Sequence, residues 1–492
     1  MLFLFAVVGF LLYGTALKNP FHYDDLHSIR YNPHIRSLEN MPRFFVDLHT
    51  FSSERSGTMF RPLLLCTYAL NYALNGQDAA GYRLFNLALH VLCAWMVWSL
   101  AKNGGGAAMA LLAGGVFLLH PLAAEPINYI SSRSDILMTA FVLSAVLCFA
   151  EAKGKRLWLL LALFAAGLLV KSVAIVLPAL CFLSLRGAWT EGTWRHYWGR
   201  FAAMAILALT YLGIIVSNRF LTSSIAKAPR AFDVNILTQA KAYVYSVWLY
   251  AMPVHLNVDH PFTAARALWE PQVLCALLFL LSLLVFFARF YKQWFGMGGL
   301  FFIAGLLPYA LIPLNIMVSE RRVYLAGVGF ALLASHVFVC FFVARRRSAS
   351  AVAAVAILSF VSIIAQRNGV WSADIRLWED AVRSSNAQPR ARVNLALAYG
   401  RDERWNEARE QLGYALAVDE NFADAWMELG NIEHRSGALV QAESAYLRAL
   451  KSQPALAGGH YNLGNILMAK GDARQAVERY AKALQLSPNF AM

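Results

Sequence analysis

The sequence predicts an all-α, polytopic membrane protein of about 11 transmembrane helices, ending in a C-terminal tetratricopeptide-repeat α-solenoid. Three observations carry that expectation. The 492 residues are 59% hydrophobic and only 15% charged, with a mean hydropathy of +0.48, where a soluble domain carries about 25% charge. The charge deficit is concentrated before residue 367, which points to lipid as the solvent there. Beyond residue 371, equivalent residues recur every 34 positions, the tetratricopeptide period.

Crossing roughly 30 Å of hydrocarbon takes about 17–25 apolar residues. Candidate runs are 1–17, 82–101, 106–120, 134–150, 157–170, 172–185, 200–217, 269–288, 296–314, 322–343 and 349–366. The first lacks a basic n-region and a clear cleavage site, so it reads as an uncleaved span rather than a signal peptide. Only Lys171 separates 157–170 from 172–185, which predicts two half-length helices meeting at one face, with a single bent helix as the alternative. The segment 236–254 is apolar and aromatic but interrupted, and could lie in the interface instead of spanning. Gly104-Gly105-Gly106 is a turn between spans and not a phosphate loop, since no strand precedes it.

Basic residues orient these spans. Lys102, Lys153, Lys155, Arg156, Arg186, Arg195, Arg200, Arg289, Lys292 and Arg345 to Arg347 fall in alternate loops, opposed only by Glu151 and Glu191. That bias puts the N-terminus inside and the long loops 18–81 and 218–268 outside. Eleven spans place the tail on the same outer face; one span more or fewer would invert it. The net charge of +14 is accounted for by such loops, and no nucleic-acid partner is expected. Cys66, Cys93, Cys148, Cys181, Cys275 and Cys340 stand singly in apolar stretches, as packing residues rather than metal ligands or disulfides.

Two domains follow: a membrane part, 1–370, and a repeat part, 371–492, with repeats at about 388–421, 422–455 and 456–489. The registers Leu395, Leu429, Leu463; Ala408, Ala442, Ala476; Ala415, Ala449, Ala483; and Pro454, Pro488 mark them. Small alanines let paired helices approach, and Tyr399, Tyr446 and Tyr480 fill between them. Phe490 aligns with Phe422 and no polar capping helix follows, which suggests a truncated member of a longer array. Such repeats make peptide-binding grooves, and a scaffold without chemistry is the expectation for this part.

Candidate chemistry sits in the outer loops. The first begins Asn19-Pro20-Phe21-His22-Tyr23-Asp24-Asp25. Charged groups at the membrane edge are functional candidates. Of two neighbouring carboxylates one could keep a raised pKa and act as general base on an acceptor hydroxyl; a solvated pair or a helix cap is the plain alternative. Further clusters fall on the same predicted face: Gly57 to Pro62 with Arg61; His120-Pro121 through Glu125 to Arg133 and Asp135; Ser319-Glu320-Arg321-Arg322 to Tyr324; and Lys171. Arg offers phosphate a planar fork of donors and Lys a point charge, so the set suits a phosphate on a lipid carrier. The alternative is interfacial anchors whose heads snorkel to water. GxxxxGK[ST], HExxH and GxSxG are absent.

These residues resemble motifs of the transmembrane and tetratricopeptide repeat (TMTC-like) protein O-mannosyltransferases, a family with the GT-C membrane architecture. Tyr23-Asp24-Asp25 resembles its acidic motif in the first outer loop. Phe60-Arg61-Pro62-Leu63, then Asn71-Tyr72, Asn86 and His90, resembles its "RPL" and "N…LH" stretch. His120-Pro121, Glu125 and Arg133-Ser134-Asp135 resemble "HP…E…GRAD"; Lys171 sits at its "KE" turn; Glu320-Arg321 with Tyr324-Leu325 resembles "ER…YLP". Departures are Ser172 after Lys171, Ala326 in place of Pro, the doubled Arg321-Arg322 and the short repeat array.

The resemblance implies a polyprenyl- or dolichyl-phosphate sugar donor and an acceptor hydroxyl, on protein or glycan, outside the membrane. It implies Asp24 or Asp25 as base. It implies Lys171, Arg321 and Arg322, with Arg61 and Arg133, on the donor phosphate, and His22, His120, Glu125, Asp135, Glu320 and Tyr324 in support. No cofactor is expected with assurance. A divalent metal is a possible addition, for which only Asp24, Asp25 and Glu125 would serve as ligands. Protein partners are expected through the repeats, and membrane lipids around the spans. A membrane-anchored scaffold and a transporter are the rival readings; a tether needs one span, and transporters repeat their broken helices in matching halves. The compact loops and Arg/Ala-rich tail point to a bacterial inner membrane with periplasmic repeats, the endoplasmic reticulum with lumenal repeats being the alternative.

Overall fold

A computed structural model describes residues 1–54, 59–185, 193–217, 230–311, 313–314, 316–384 and 388–487. Of the sequence-level expectations, those on Gly57, Thr58, Arg186, Glu191, Pro488 and Phe490 lie outside the described residues. Among the described residues every regular element is helical. The chain divides into two compact units, Met1–Leu256 with Phe262–Trp371, and Asn257–Pro261 with Ser372–Met492.

The first unit contains α1 (Leu2–Tyr13), α2 (Pro62–Asn75), α3 (Ala79–Leu119), α4 (Ala124–Asn128), α5 (Arg133–Phe149), α6 (Lys155–Val170), α7 (Leu177–Ser184), α8 (Thr193–Ser217), α9 (Phe232–Ala251), α10 (Pro271–Arg289), α11 (Trp294–Leu306), α12 (Ala326–Ala344) and α13 (Arg346–Val370). Among the described residues six helical stretches are long and apolar enough to cross a membrane: Ala79–Leu119, Ile130–Phe149, Tyr197–Ser217, Pro271–Arg289, Ala326–Ala344 and Arg346–Val370. Helix length therefore supports an integral membrane protein but fewer spans than the eleven expected. The difference lies in helices too short to qualify, such as Leu2–Lys18, Ser172–Ser184 and Trp294–Ala310. It also lies in α3, whose 41 residues are interrupted at Asn103 (ψ 78°), Gly104 (φ 96°) and Gly106 (φ 80°). Those glycines take left-handed backbone that side chains resist, so α3 is two helices joined by the expected turn.

Lys171 has extended backbone, φ −160° and ψ 130°, between α6 and the 3-10 turn Ser172–Val176 that leads into α7. Two helices meet there, not one bent helix. The segment 236–254, whose apolar run is interrupted in sequence, is a regular helix as far as Ala251, within α9. Its polar residues are satisfied within the protein: Asn235 Nδ2 donates to Ala310 O at 2.7 Å, and Thr238 Oγ1 accepts from Ala265 N at 2.9 Å. Phe5, Val97, Phe117, Met138, Leu143, Phe164, Phe301 and Leu332 belong to one apolar core that joins α1, α3, α5, α6, α11 and α12. Cys93 and Cys181 pack inside as expected, whereas Cys275 and Cys340 lie exposed on α10 and α12; all six cysteines are free.

The second unit is a helix, α14 (Asp374–Ser384), followed by three pairs: α15 (Pro389–Arg401) with α16 (Trp405–Val418), α17 (Ala423–Arg435) with α18 (Leu439–Ser452), and α19 (Ala457–Ala469) with α20 (Ala473–Leu486). The recurrent alanines 408, 442 and 476 are fully buried. A side chain at Gly430 or Gly464 would stand 2.5 or 2.6 Å from the ring of Tyr446 or Tyr480, so those positions admit no Cβ. Each tyrosine hydroxyl then donates at 2.8 Å to the next asparagine along, Asn431 or Asn465. Asn257–Pro261 packs within this unit, where Arg390 forks onto both oxygens of Asp259, Nε to Oδ2 at 2.9 Å.

Candidate active site

Helix ends of the first unit build the site. Arg83 of α3 is fully buried and donates to three carbonyls: Asn128 O at 2.9 Å, Asn19 O and Pro20 O. Asn19 Nδ2 donates to Asn128 Oδ1 at 2.7 Å, and Asn128 Nδ2 to Asn368 Oδ1 at 2.9 Å. The start of the first long loop is thereby sewn to α4 and to the end of α13.

The paired aspartates then part company. Asp25 is fully buried and accepts four hydrogen bonds. Ser131 N at 2.7 Å and Ser131 Oγ at 2.6 Å reach Oδ1; Ile130 N at 3.2 Å and His22 N at 3.3 Å reach Oδ2. Burial raises its pKa, and Ser131 and Arg83 offset only part of that. Asp24 remains 35% exposed and faces Arg321 Nη1 at 3.8 Å and His27 Nε2 at 3.5 Å. Burial pushes its pKa up, but hydrogen bonds from His27 and Tyr129 and the charge of Arg321 bring it net below the ordinary carboxylate value. Tyr23, just before, sits at φ +48°, an outlier for a bulky residue, held there by the anchoring of Asp25.

Cations gather beside Asp24. The Arg321 guanidinium lies 4.8 Å from the Tyr129 ring centroid, and Asp24, Glu125 and Asp135 hold its pKa up against burial. Lys171 Nζ donates to Asp135 Oδ1 at 2.5 Å, and Tyr309 Oη donates to the same oxygen at 3.0 Å. Burial lowers the pKa of Lys171, and Asp135 offsets part of the effect. Arg61 lies within electrostatic reach of both Asp135 and Arg321. Arg322 neighbours Arg321 and donates to Ile316 O. Glu125 and Glu320 are 2% and 0% exposed; burial and the adjacent Glu320 charge drive the Glu125 pKa up. Asp24, Lys171, Arg61, Arg321, Arg322, Asp135, Glu125 and Glu320 thus form one electrostatic cluster.

Other expected site residues are occupied elsewhere. Arg133 is fully buried; it donates to Asn86 Oδ1 at 2.8 Å, Tyr82 O at 2.9 Å and Thr67 O at 3.2 Å, and packs on Tyr68 and Phe85. Arg133 is thus engaged by α2 and α3, among which α5 begins. His22 Nε2 pairs with Trp371 O at 2.7 Å. His120 pairs with Tyr250 O at 3.1 Å and accepts from Leu122 N. Tyr324 Oη meets His90 Nδ1 at 2.7 Å. These three support the frame. His27, Tyr129 and Tyr309 escaped sequence reasoning, although the i, i+3 spacing of Asp24 and His27 was a readable signal for one helical turn. Among the described residues no three His, Cys, Asp or Glu side chains converge as a metal-binding group.

The second unit carries a groove of about 690 Å³ lined by Glu379, Arg383, Arg392, Leu395, Tyr399 and Tyr414 with their neighbours.

Residues 61–214 match the dolichyl-phosphate-mannose-protein mannosyltransferase family, and residues 375–457 and 457–490 match tetratricopeptide repeats. The Caenorhabditis elegans protein O-mannosyl-transferase F38B6.6 is 24% identical over 434 residues, 83% of this chain and 61% of that protein. Protein O-mannosyl-transferase TMTC3 of Homo sapiens is 20% identical over 559 residues, 97% of this chain and 59% of that protein. The chain therefore spans about three-fifths of the length of these two curated relatives. Among solved structures, ArnT from Cupriavidus metallidurans bound to undecaprenyl phosphate aligns with 99% of this chain and 88% of that chain at 14% identity and a TM-score of 0.41. In sequence the chain is thus similar to proteins named protein O-mannosyl-transferases and to tetratricopeptide repeats.

Proposed function

We propose that this relative of the transmembrane and tetratricopeptide repeat O-mannosyltransferases moves a sugar from a polyprenyl-phosphate donor to an acceptor hydroxyl at the non-cytoplasmic face of its membrane. The observation that carries the reading is Asp24: a partly exposed, ionised carboxylate 3.8 Å from Arg321. Lys171 and Arg61 belong to the same charge cluster. Asp24 takes the acceptor proton as the acceptor oxygen bonds to the sugar's anomeric carbon. The bond from that carbon to the phosphate oxygen breaks, and its electron pair leaves with the lipid phosphate. Arg321, Lys171, Arg61 and Arg322 compensate the charge that develops there. Asp135 holds Lys171 in place, and Asp25 fixes the loop.

On this reading eleven spans thread the first unit, Lys171 and both long loops lie outside, and the repeat groove binds the acceptor polypeptide. The aromatic and cationic lining of that groove supports a polypeptide occupant. The matching of relatives named as mannosyltransferases favours mannose. The test is purified full-length chain, polyprenyl-phosphate mannose and a Ser/Thr-rich peptide. Mannosyl peptide should form, and R321A should form none. A preparation that is folded yet transfers no hexose from any polyprenyl phosphate would overturn the proposal.

A further inference from the structure

His27 is one helical turn beyond Asp24 and is absent from every motif considered in the sequence. Its ring is caught on both sides. Nε2 lies 3.5 Å from Asp24 Oδ1, and Nδ1 lies 3.0 Å from Ser52 Oγ. Ser52 is 3% exposed and its Oγ already accepts from Glu54 N at 2.9 Å. The strand of loop around it closes on the same residue: Ser53 N and Ser53 Oγ both donate to His27 O, at 2.9 and 3.1 Å. A charged ring has an N–H for each partner, one for Ser52 Oγ and one for Asp24, and the carboxylate at Nε2 favours that charged form over a neutral ring that accepts from the Ser52 hydroxyl. We infer that His27 is a positioning residue that keeps Asp24 ionised and aimed, acting as an imidazolium clamped between Ser52 and Asp24.

The inference rests on the proposed function insofar as it concerns catalysis; the clamp itself rests on geometry. The charged groups facing His27 are Asp24, Glu54 and Asp25, with Arg321 on the far side of Asp24. Burial lowers the histidine pKa, but Asp24, Glu54 and Asp25 outweigh it and leave the ring net more basic than usual. The two partners thereby favour each other's charged forms. A helix dipole plays no part, because the turn Leu26–Arg30 is only 5 residues long. When Asp24 accepts a proton from the acceptor, the ion pair loses its attraction, and the same imidazolium favours return of that proton to solvent.

The discriminating variant is H27Q, which keeps an amide donor toward Asp24 and removes the charge. The acid limb of kcat/KM should move up by about one pH unit, a loss of about tenfold on that limb, while kcat/KM above pH 7 stays within about twofold. A merely structural role would lower kcat/KM evenly across pH, and an unmoved limb overturns the inference. Independently of activity, the His27 imidazole titration is followed by NMR in the full-length chain. It should fall above about 6.5 and drop in D24N; equal titration in wild type and D24N refutes the clamp. This second readout stands if H27Q fails to fold. Absence of sugar transfer in wild type would instead defeat the proposed function and leave the titration to decide the clamp.

Discussion

Replacing the two adjacent aspartates one at a time separates chemistry from architecture. Asp24 has a 35% exposed side chain, one ion pair at 3.8 Å, one contact to His27 at 3.5 Å and a hydrogen bond from Tyr129. Exposed pairs of that kind contribute about 0–1 kcal/mol, so D24N should unfold within a few degrees of wild type. As the general base, however, it supplies about 10²- to 10⁴-fold in rate. At 1.36 kcal/mol per tenfold, that is about 3–5 kcal/mol of barrier. Asp25 inverts both numbers. Its two oxygens accept four bonds from Ser131, Ile130 and His22. Asn would keep one acceptor oxygen and turn an NH₂ toward N–H donors, so two charge-assisted bonds go. At about 1.5–3 kcal/mol each, D25N should lose about 3–6 kcal/mol and much of the folded protein. The assay pairs thermal unfolding in detergent with mannosyl transfer from polyprenyl-phosphate mannose. D24N should be folded and inactive; D25N should be unstable, with activity per folded molecule largely kept. A D24N protein within threefold of wild-type activity, or a D25N protein as stable as wild type, refutes the division of labour.

Other outcomes follow from the same contacts. K171M strands Asp135 as a buried carboxylate and should cost about 3–5 kcal/mol; K171M/D135N should regain most of the stability in an unfolding scan yet keep a raised KM for the lipid donor, because the phosphate partner is gone. Asp24 has a pKa below its unfolded value of about 3.9, so its ion pair contributes full stability above that value and loses it as pH falls through the folded pKa; kcat/KM should show no acid limb between pH 7 and about pH 5 in a buffered transfer series. In the repeat unit, D259N removes the charge under the Arg390 fork; it should cost about 1–3 kcal/mol, visible as faster hydrogen exchange in α15.

Periodicity made much of the architecture legible. The 34-residue register set alanines 408, 442 and 476 at the buried helix contacts. Apolar runs located the long helices, and Gly104-Gly105-Gly106 announced its turn. Span number was less legible, because short helices and a 41-residue merged one defy a length rule. At the site, sequence named the charged residues but not their partners. Arg133 and Arg321 look alike as letters; one is enclosed by Asn86, Thr67 and Tyr82, the other opens on Asp24. Adjacent Asp24 and Asp25 look equivalent too, and only the fold sends one inward. His27 was overlooked because its role depends on Ser52, which lies 25 positions further along the chain.

The charge balance of the proposed reaction explains why a base and cations suffice. A polyprenyl phosphodiester carries one negative charge and Asp24 another. After transfer the lipid phosphate, a monoester whose second pKa is about 6, carries close to two, and Asp24 carries none. Total charge in the site is conserved while one unit moves from the carboxylate to the phosphate. No acid is needed, since the leaving oxygen departs ionised. What is needed is a cation whose attraction can follow the charge. Arg321 meets that requirement: its ion pair with Asp24 weakens at the moment Asp24 is protonated, and its guanidinium, seated on Tyr129, can then serve the phosphate. Lys171 cannot follow in this way, because its partner Asp135 takes no part in the proton transfer. The two cations therefore differ in kind: Lys171 provides steady attraction for donor and product alike, whereas Arg321 acts most strongly in the transition state. Loss of Lys171 should appear mainly in KM and loss of Arg321 mainly in kcat.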